Sequence, residues 1–394
     1  MRRLSELAYR LKGQGMFQIL AKANKLEEEG REILHFELGD PDFDTPKGIV
    51  NACIESLRNG DTHYTNSAGL VELRKAAANS TMRGSRHFKP DLEQLLVTHG
   101  ANPQIYYALS CTVNPGEEVI VPDPGFVSYF SILDQIGIKA NRVQLLEENE
   151  FRLNPWDVER AITENTRAII INSPSNPTGA VMTEKEIKGI YEIAKKHDLW
   201  ILSDEVYKRI IYKEDVEYKS YKSPSEYDHC KERTIIINGF SKSHAMTGWR
   251  IGIATGPVEV IDKMRLQLET EQSCVPLFLQ KACIEALEGS QKETYEMERE
   301  YMRRRDKIVD GLNQLQGVSC LKPKGAFYVF PNIKNTGMTS SEFANFMLDE
   351  AGIALTPGPI FGEYGEDYVR LSYVNSLEKI ENAIERMDFA LSNR

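Results

Sequence analysis

The feature that most constrains this chain is an alternation running through its middle. Leu95–Thr98, Glu118–Pro122, Arg167–Asn172, Leu199–Ser203 and Thr234–Asn238 are β-branched runs of strand length, and stretches of helical periodicity such as Thr183–His197 lie between them. Near-continuous apolar strands are buried on both faces, which calls for parallel pairing with helices packed above and below. The expected fold class is therefore α/β, with a three-layer α-β-α large domain built on a mostly parallel sheet. Ligands of such sheets sit just beyond the carboxyl ends of the strands, so the residues that follow each run are where chemistry is expected.

The two ends read differently. Met16–Glu29 predicts a helix stopped by Gly30, leading into the turn-rich Gly39-Asp40-Pro41-Asp42-Phe43. Beyond about residue 290 come a long charged helix, a strand over Gly325–Phe330 and a helix from Leu377 to Ser392. This pattern predicts a smaller α+β domain assembled from residues 1–45 and 289–394, beside a large ligand-binding domain over 46–288.

Composition narrows the class of function. With 41% hydrophobic and 27% charged residues in a chain of 394, the protein is expected to be globular and soluble. A net charge of -10 repels nucleic acid and anionic membranes. No apolar run approaches the roughly 18 residues of a membrane span. The arginine pair Arg2-Arg3 is followed by no apolar core, which predicts no secretory leader. Cys53, Cys111, Cys230, Cys274, Cys283 and Cys320 form no C-x-x-C pair and have no histidine at ligand spacing. They predict reduced thiols, a cytoplasmic setting and no metal site. Asn79-Ser80-Thr81 is then a chance sequon.

Polar groups cluster after three of the runs. Ser173-Pro174-Ser175-Asn176-Pro177-Thr178-Gly179 follows the first, Asp204-Glu205-Val206-Tyr207 the second, and Gly239-Phe240-Ser241-Lys242 through Trp249-Arg250 the third. Together they offer what a pyridine aldehyde bearing a phosphate requires. Lys242 has an amine for the aldehyde, and Asp204 a carboxylate for a protonated ring nitrogen. Asn176 and Tyr207 offer hydrogen bonds to a phenolic oxygen. Ser241 and Arg250 supply a hydroxyl and a guanidinium fork for phosphate. Gly100-Ala101-Asn102 follows Leu95–Thr98 and opens a helical pattern, adding backbone N–H groups to the same phosphate site.

These segments resemble the signatures of the class I aminotransferase family, aspartate-aminotransferase-like enzymes of fold-type I. Gly39–Phe43, Tyr64-Thr65 with Gly69, Gly325–Phe330, Pro357-Gly358 and Arg370-Leu371-Ser372-Tyr373 fall in the family's order, so the resemblance spans about residues 30 to 390. It implies a pyridoxal 5'-phosphate enzyme that holds its cofactor as a Schiff base on Lys242 and moves the α-amino group of an L-amino acid to a 2-oxo acid. It implies that Phe126 stacks on the cofactor ring and that Tyr64 reaches the phosphate of the neighbouring subunit in a homodimer. Gly39 and Asn176 match positions that touch the substrate α-carboxylate, and Arg370 matches the arginine that pairs with it.

Each residue also has a plainer reading. A lone lysine is ordinarily solvated, Asp204 suits a helix cap, Asn176 suits a turn beside proline, and Arg370 suits an interdomain ion pair. Phe126 suits a core, and His99 and His244 read as packing groups. Rival functions are a carbon–sulfur β-lyase, a decarboxylase using the same cofactor, or a non-catalytic sensor of that cofactor. Asn102 stands where some aspartate-using relatives carry lysine, which argues against aspartate. Leu277, Phe278 and Phe327 suggest an apolar wall for the substrate.

Overall fold

The computed structural model describes residues 3–11, 13, 15–83, 88–212 and 221–394. The first strand, β1 (Leu34–His35), belongs to a small sheet described below. The large sheet contains β2 (Leu95–Thr98), β3 (Glu118–Asp123), β4 (Lys139–Gln144), β5 (Thr166–Asn172), β6 (Trp200–Asp204), β7 (Thr234–Ile237) and β8 (Gly252–Thr255). Its order is β2-β8-β7-β6-β5-β3-β4. Only β8 runs against its neighbours, pairing antiparallel with both β2 and β7.

The side-chain alternation shows why the sheet needs covers on both faces. Val119 and Val121 of β3, Ala168 and Ile170 of β5 and Leu202 of β6 enter one core. Ile120, Ile169, Ile171 and Ile201, the intervening residues, enter another on the opposite face. The helix Ala101–Thr112 packs in the first core and Glu184–Lys196 in the second. The latter is set by a capping box, in which the Thr183 hydroxyl accepts from the Glu186 N–H and the Glu186 carboxylate accepts from the Thr183 N–H. Parallel register places Asn172 of β5 beside Asp204 of β6, at the carboxyl edge where both strands end.

The remaining strands are short: β9 (Tyr328–Val329), β10 (Ile353–Ala354), β11 (Thr356–Pro357) and β12 (Val369–Ser372). β1 pairs with β10, and β12 lies between β11 and β9. Leu34 and Phe36 share a core with Ile308, Ile353, Leu371 and Met387, so the start of the chain packs among its last hundred residues. The strand expected over Gly325–Phe330 contracts to β9. Ala326 takes a positive φ of 56°, and the N–H groups of Gly325 and Ala326 go to Gly179 and Ile210 instead of a sheet partner.

Candidate active site

The carboxyl edge of the large sheet opens into a cavity of about 310 Å³. Lys242, Asp204, Tyr207, Ala101, Asn102, Phe126, Asn176, Ser241, Arg250, Gly39 and Arg370 all line it. Gly100 adjoins it, and Tyr64 does not. Tyr64 is 87% exposed and makes no part of this protomer's cavity.

Asp204 ends β6 almost wholly buried. The Tyr129 hydroxyl donates to its Oδ2 at 2.6 Å, and the Val206 N–H donates to Oδ1 at 3.3 Å. Burial pushes its carboxyl up to about 6, with those two donors pulling the other way. No cation contributes to this balance, so the site carries an anion in want of a positive partner.

Lys242 follows β7, and its Nζ donates to the Gly39 carbonyl at 2.7 Å. Burial, with the charges of Arg370 and Arg250, pushes the amine down to about 8 against the pull of Asp40. A substantial share is therefore neutral near pH 7.5, as a nucleophile or general base requires. Gly39 is glycine for a steric reason, because a Cβ there would lie 1.9 Å from the Tyr328 hydroxyl. That hydroxyl is 2.8 Å from the Tyr207 hydroxyl.

An anion cradle forms on the opposite side. Gly100 caps the helix Ala101–Thr112 with a φ of 86°, which favours glycine, and an added Cβ would lie 3.0 Å from Arg250 Nη2. Gln104 fixes this corner by donating to the Thr98 hydroxyl and the Asn238 carbonyl while accepting from the Asn238 N–H. The guanidinium of Arg250 and the free N–H groups at the helix start thus face the same space.

Arg370, on β12, is fully buried. Its Nη1 donates to Asn176 Oδ1 at 3.1 Å and its Nη2 to the Glu37 carbonyl. Its guanidinium lies 4.6 Å from the ring centres of both Tyr328 and Phe361. The Asn176 N–H in turn donates to Asn172 Oδ1 at 2.9 Å, holding the loop after β5 to the sheet edge.

Several lining or supporting groups escaped the sequence reading. Tyr129 carries no motif and is found only because its helix, Val127–Ile136, overlies the end of β6. Tyr328 lay inside a noted segment but was given no role. Met16 and Phe17, from the helix Gly15–Glu28, also line the cavity. The apolar wall expected from Leu277, Phe278 and Phe327 does not line it in this protomer. Phe327 packs instead in the core against Tyr207, edge to face at 5.3 Å. His99 and His244 stay outside the lining, with His244 pushed down to about 3 by burial and by Arg209. Among the described residues no cluster suited to a metal ion occurs.

Comparison with known proteins is unambiguous about kinship. The family described as aminotransferase class I and II matches residues 31–387. The chain is 43% identical over 366 residues to an aspartate aminotransferase of Pyrococcus abyssi, covering 92% of this chain and 93% of that one. It is 44% identical over 365 residues to aromatic-amino-acid aminotransferase 2 of Thermococcus litoralis, covering 92% of each. The crystal structure of an aromatic aminotransferase from Pyrococcus horikoshii superposes with a TM-score of 0.88 at 41% identity, covering 95% of this chain and 99% of that one.

Proposed function

The chain belongs to the class I and II aminotransferase family, and from that premise we propose that Lys242, Asp204 and Arg370 divide the work of a pyridoxal-phosphate-dependent transamination. The residues fit the cofactor on physical grounds. Asp204 offers a buried, cation-free carboxylate to a protonated ring nitrogen, and Tyr207 and Asn176 lie within the same cavity for the ring oxygen. Arg250, Ser241 and the helix start at Gly100-Ala101-Asn102 suit the phosphate, and Phe126 suits a ring face. When bound, the cofactor supplies an aldehyde that exchanges amines and a pyridinium ring that accepts the electron pair released at the substrate Cα.

Lys242 Nζ would hold the cofactor's aldehyde carbon until an incoming amino acid took its place. Once free, it would take the Cα proton, since an amine lowered to about 8 keeps a substantial neutral share near pH 7.5. The same amine, standing between substrate and cofactor, would carry that proton to the cofactor side, and a 2-oxo acid would be served by the same residues in reverse order. Asp204 holds the ring nitrogen protonated throughout. Arg370 orients the α-carboxylate through a bidentate fork, with Asn176 and the Gly39 backbone alongside.

The observation that carries this reading is the meeting of the Asp204 carboxylate, the Lys242 amine and the Arg370 guanidinium in one cavity, where burial pushes Asp204 upward and Lys242 downward. Relatives of nearly equal identity are named for aspartate and for aromatic amino acids. The α-carboxylate common to both is the group Arg370 addresses. The exposure of Tyr64 supports a homodimer in which that side chain reaches the partner's phosphate. The division into 46–288 and 1–45 with 289–394 is supported by the shared core of the chain's start and end. No helix among the described residues is long and apolar enough to cross a membrane, in keeping with the proposed cytoplasmic setting. Incubation with a ¹⁵N-labelled amino acid and an unlabelled 2-oxo acid tests the reaction class. Label on the new amino acid supports transamination, whereas free ammonia or carbon dioxide without it selects the lyase or decarboxylase.

A further inference from the structure

Behind Arg370 lies a second charged pair that transamination itself does not use. Glu37 is wholly buried, and its backbone carbonyl accepts from Arg370 Nη2 and from the Thr356 hydroxyl. Its carboxylate Oε1 is 2.8 Å from Nδ1 of His35, while Oε2 has no hydrogen-bond partner among the described residues, and neither does Nε of Arg370. The charge of Glu37 is felt at Arg370. Burial lowers the guanidinium from its ordinary value, and Tyr328, Tyr207 and Glu37 oppose that push. His35 meets a second acid through its other nitrogen, with Nε2 3.2 Å from Glu27 Oε1 on the helix Gly15–Glu28.

Resting on the assignment of Arg370 to the substrate α-carboxylate, we propose that His35 and Glu37 are positioning residues for Arg370. The His35–Glu37 pair keeps the Glu37 charge from competing with the substrate for the guanidinium. Through Glu27, it also ties that balance to the helix at the cavity mouth.

A carboxylate buried this deeply needs a cation. His35 meets it at 2.8 Å, and Arg370, bound to the Glu37 backbone carbonyl, is the other cation that feels its charge. The groups facing His35 favour its charged form. They are Glu37 of its own segment and Glu27 of the overlying helix. The paired strand β10 brings only Ile353 and Ala354, and the segment after β12 brings the neutral Asn375 amide, which donates to the His35 carbonyl. The hydrogen bond to Glu37 is the largest influence, and with Glu27 it outweighs burial and raises the imidazole to about 9. Near neutral pH the His35–Glu37 pair is therefore closed, and Arg370 faces the cleft with its charge uncommitted. Above about 9 the imidazole loses its proton, and the Glu37 charge felt at Arg370 is no longer offset by a neighbouring cation. A substrate carboxylate then competes with a fixed anion. Carboxylate binding and His35 protonation thus reinforce each other, reciprocally.

The test measures binding of 3-phenylpropionate, a carboxylate without an amine, to the cofactor-loaded enzyme by calorimetry between pH 7 and 10. Wild type should bind more weakly as pH rises through about 9. His35→Gln should already bind roughly three- to tenfold more weakly at pH 7.5, the scale of one partly screened charge. Glu37→Gln should remove the alkaline decline, and the double variant should regain wild-type affinity at pH 7.5. A double variant as weak as His35→Gln, or a His35→Gln protein that binds like wild type, overturns the proposal. His35 is partly exposed, so that single variant decides the matter even if Glu37→Gln fails to fold. Arg370→Leu separates the two layers. If it keeps full carboxylate binding, the Arg370 assignment itself fails. If it loses binding while His35→Gln does not, only the role of the pair falls.

Discussion

Arg370 of β12 donates to Asn176 Oδ1 at 3.1 Å, joining a strand near the end of the chain to the loop that closes β5. This contact crosses between the sheet that carries Lys242 and the core that contains Leu371. The substrate carboxylate is expected to enter at that junction. Arg370→Leu should keep the cofactor and its visible absorbance, since Arg370 has no contact assigned to the cofactor. It should lose on the order of 3–5 kcal/mol of transition-state stabilisation, a fall of hundreds-fold or more in kcat/KM with α-amino acids. Amines lacking the carboxylate should suffer far less, and equal loss with both substrate types would sink the assignment.

Covalent chemistry gives a direct check on Lys242. The purified protein should be yellow, and borohydride should fix a phosphopyridoxyl group to the peptide that contains Lys242. Recovery of the label on another lysine would falsify the central assignment. Lys242→Ala should bind the cofactor without this linkage and should not exchange the substrate Cα proton with solvent at a measurable rate.

Asp204 should trade stability against function. Its carboxyl is raised from 3.8 to about 6, so the folded apoprotein holds the proton more tightly than the unfolded chain does and ionising it near neutral pH costs stability. The contribution of this group is greatest below pH 3.8 and is lost as pH rises through about 6. Asp204→Asn removes that penalty and should stabilise the apoprotein at pH 7.5 by up to about 2–3 kcal/mol, less what the altered Tyr129 and Val206 contacts cost. The same variant should lose most turnover, because the neutral amide cannot hold a ring nitrogen protonated. Chemical denaturation of apoprotein, run beside single-turnover rates, measures both. An Asn variant less stable than wild type at pH 7.5 and no different at pH 4 would contradict the cause given for the shift.

Tyr64 tests whether sites are shared. Tyr64→Phe and Lys242→Ala homodimers should each be weak or inactive, while mixed dimers should recover one site free of both lesions. Activity of the mixture that never exceeds the Tyr64→Phe parent would count against a contribution across the interface. So would an active monomer.

The sheet was legible because both of its faces are buried, which leaves three successive isoleucines in β5 and in β7 and the apolar start Trp-Ile-Leu in β6. β4 was not, since Lys-Ala-Asn-Arg-Val-Gln at the sheet edge buries only Val143 and leaves the other five residues at least partly in water. β8 was hidden by its composition, since Gly-Ile-Ala-Thr carries a single large apolar side chain. Among functional groups, Lys242, Asp204 and Arg250 stood out because their spacing from strand ends restricts where they point. Tyr129 and Tyr328 did not, because a buried tyrosine reads as packing until the partner of its hydroxyl is seen. His35 and Glu37 lay in a segment read only for its turn. Their meeting depends on β1 pairing with β10, a contact between residues more than three hundred positions apart.

The tight space at Gly39 gives the N-terminal segment an unexpected use. Its carbonyl receives Lys242, while its α-carbon rests against Tyr328, whose hydroxyl meets Tyr207. The groups proposed to set the cofactor's electronic environment are therefore indexed to one point of backbone near the chain's beginning. If that segment peels away, Tyr328 gains room beside Tyr207, and the visible band should shift while the helices and the large sheet remain intact. Heating the enzyme while following both its colour and its far-ultraviolet dichroism should then reveal two separate events. The colour would serve as a built-in optical gauge of whether the first forty residues are seated.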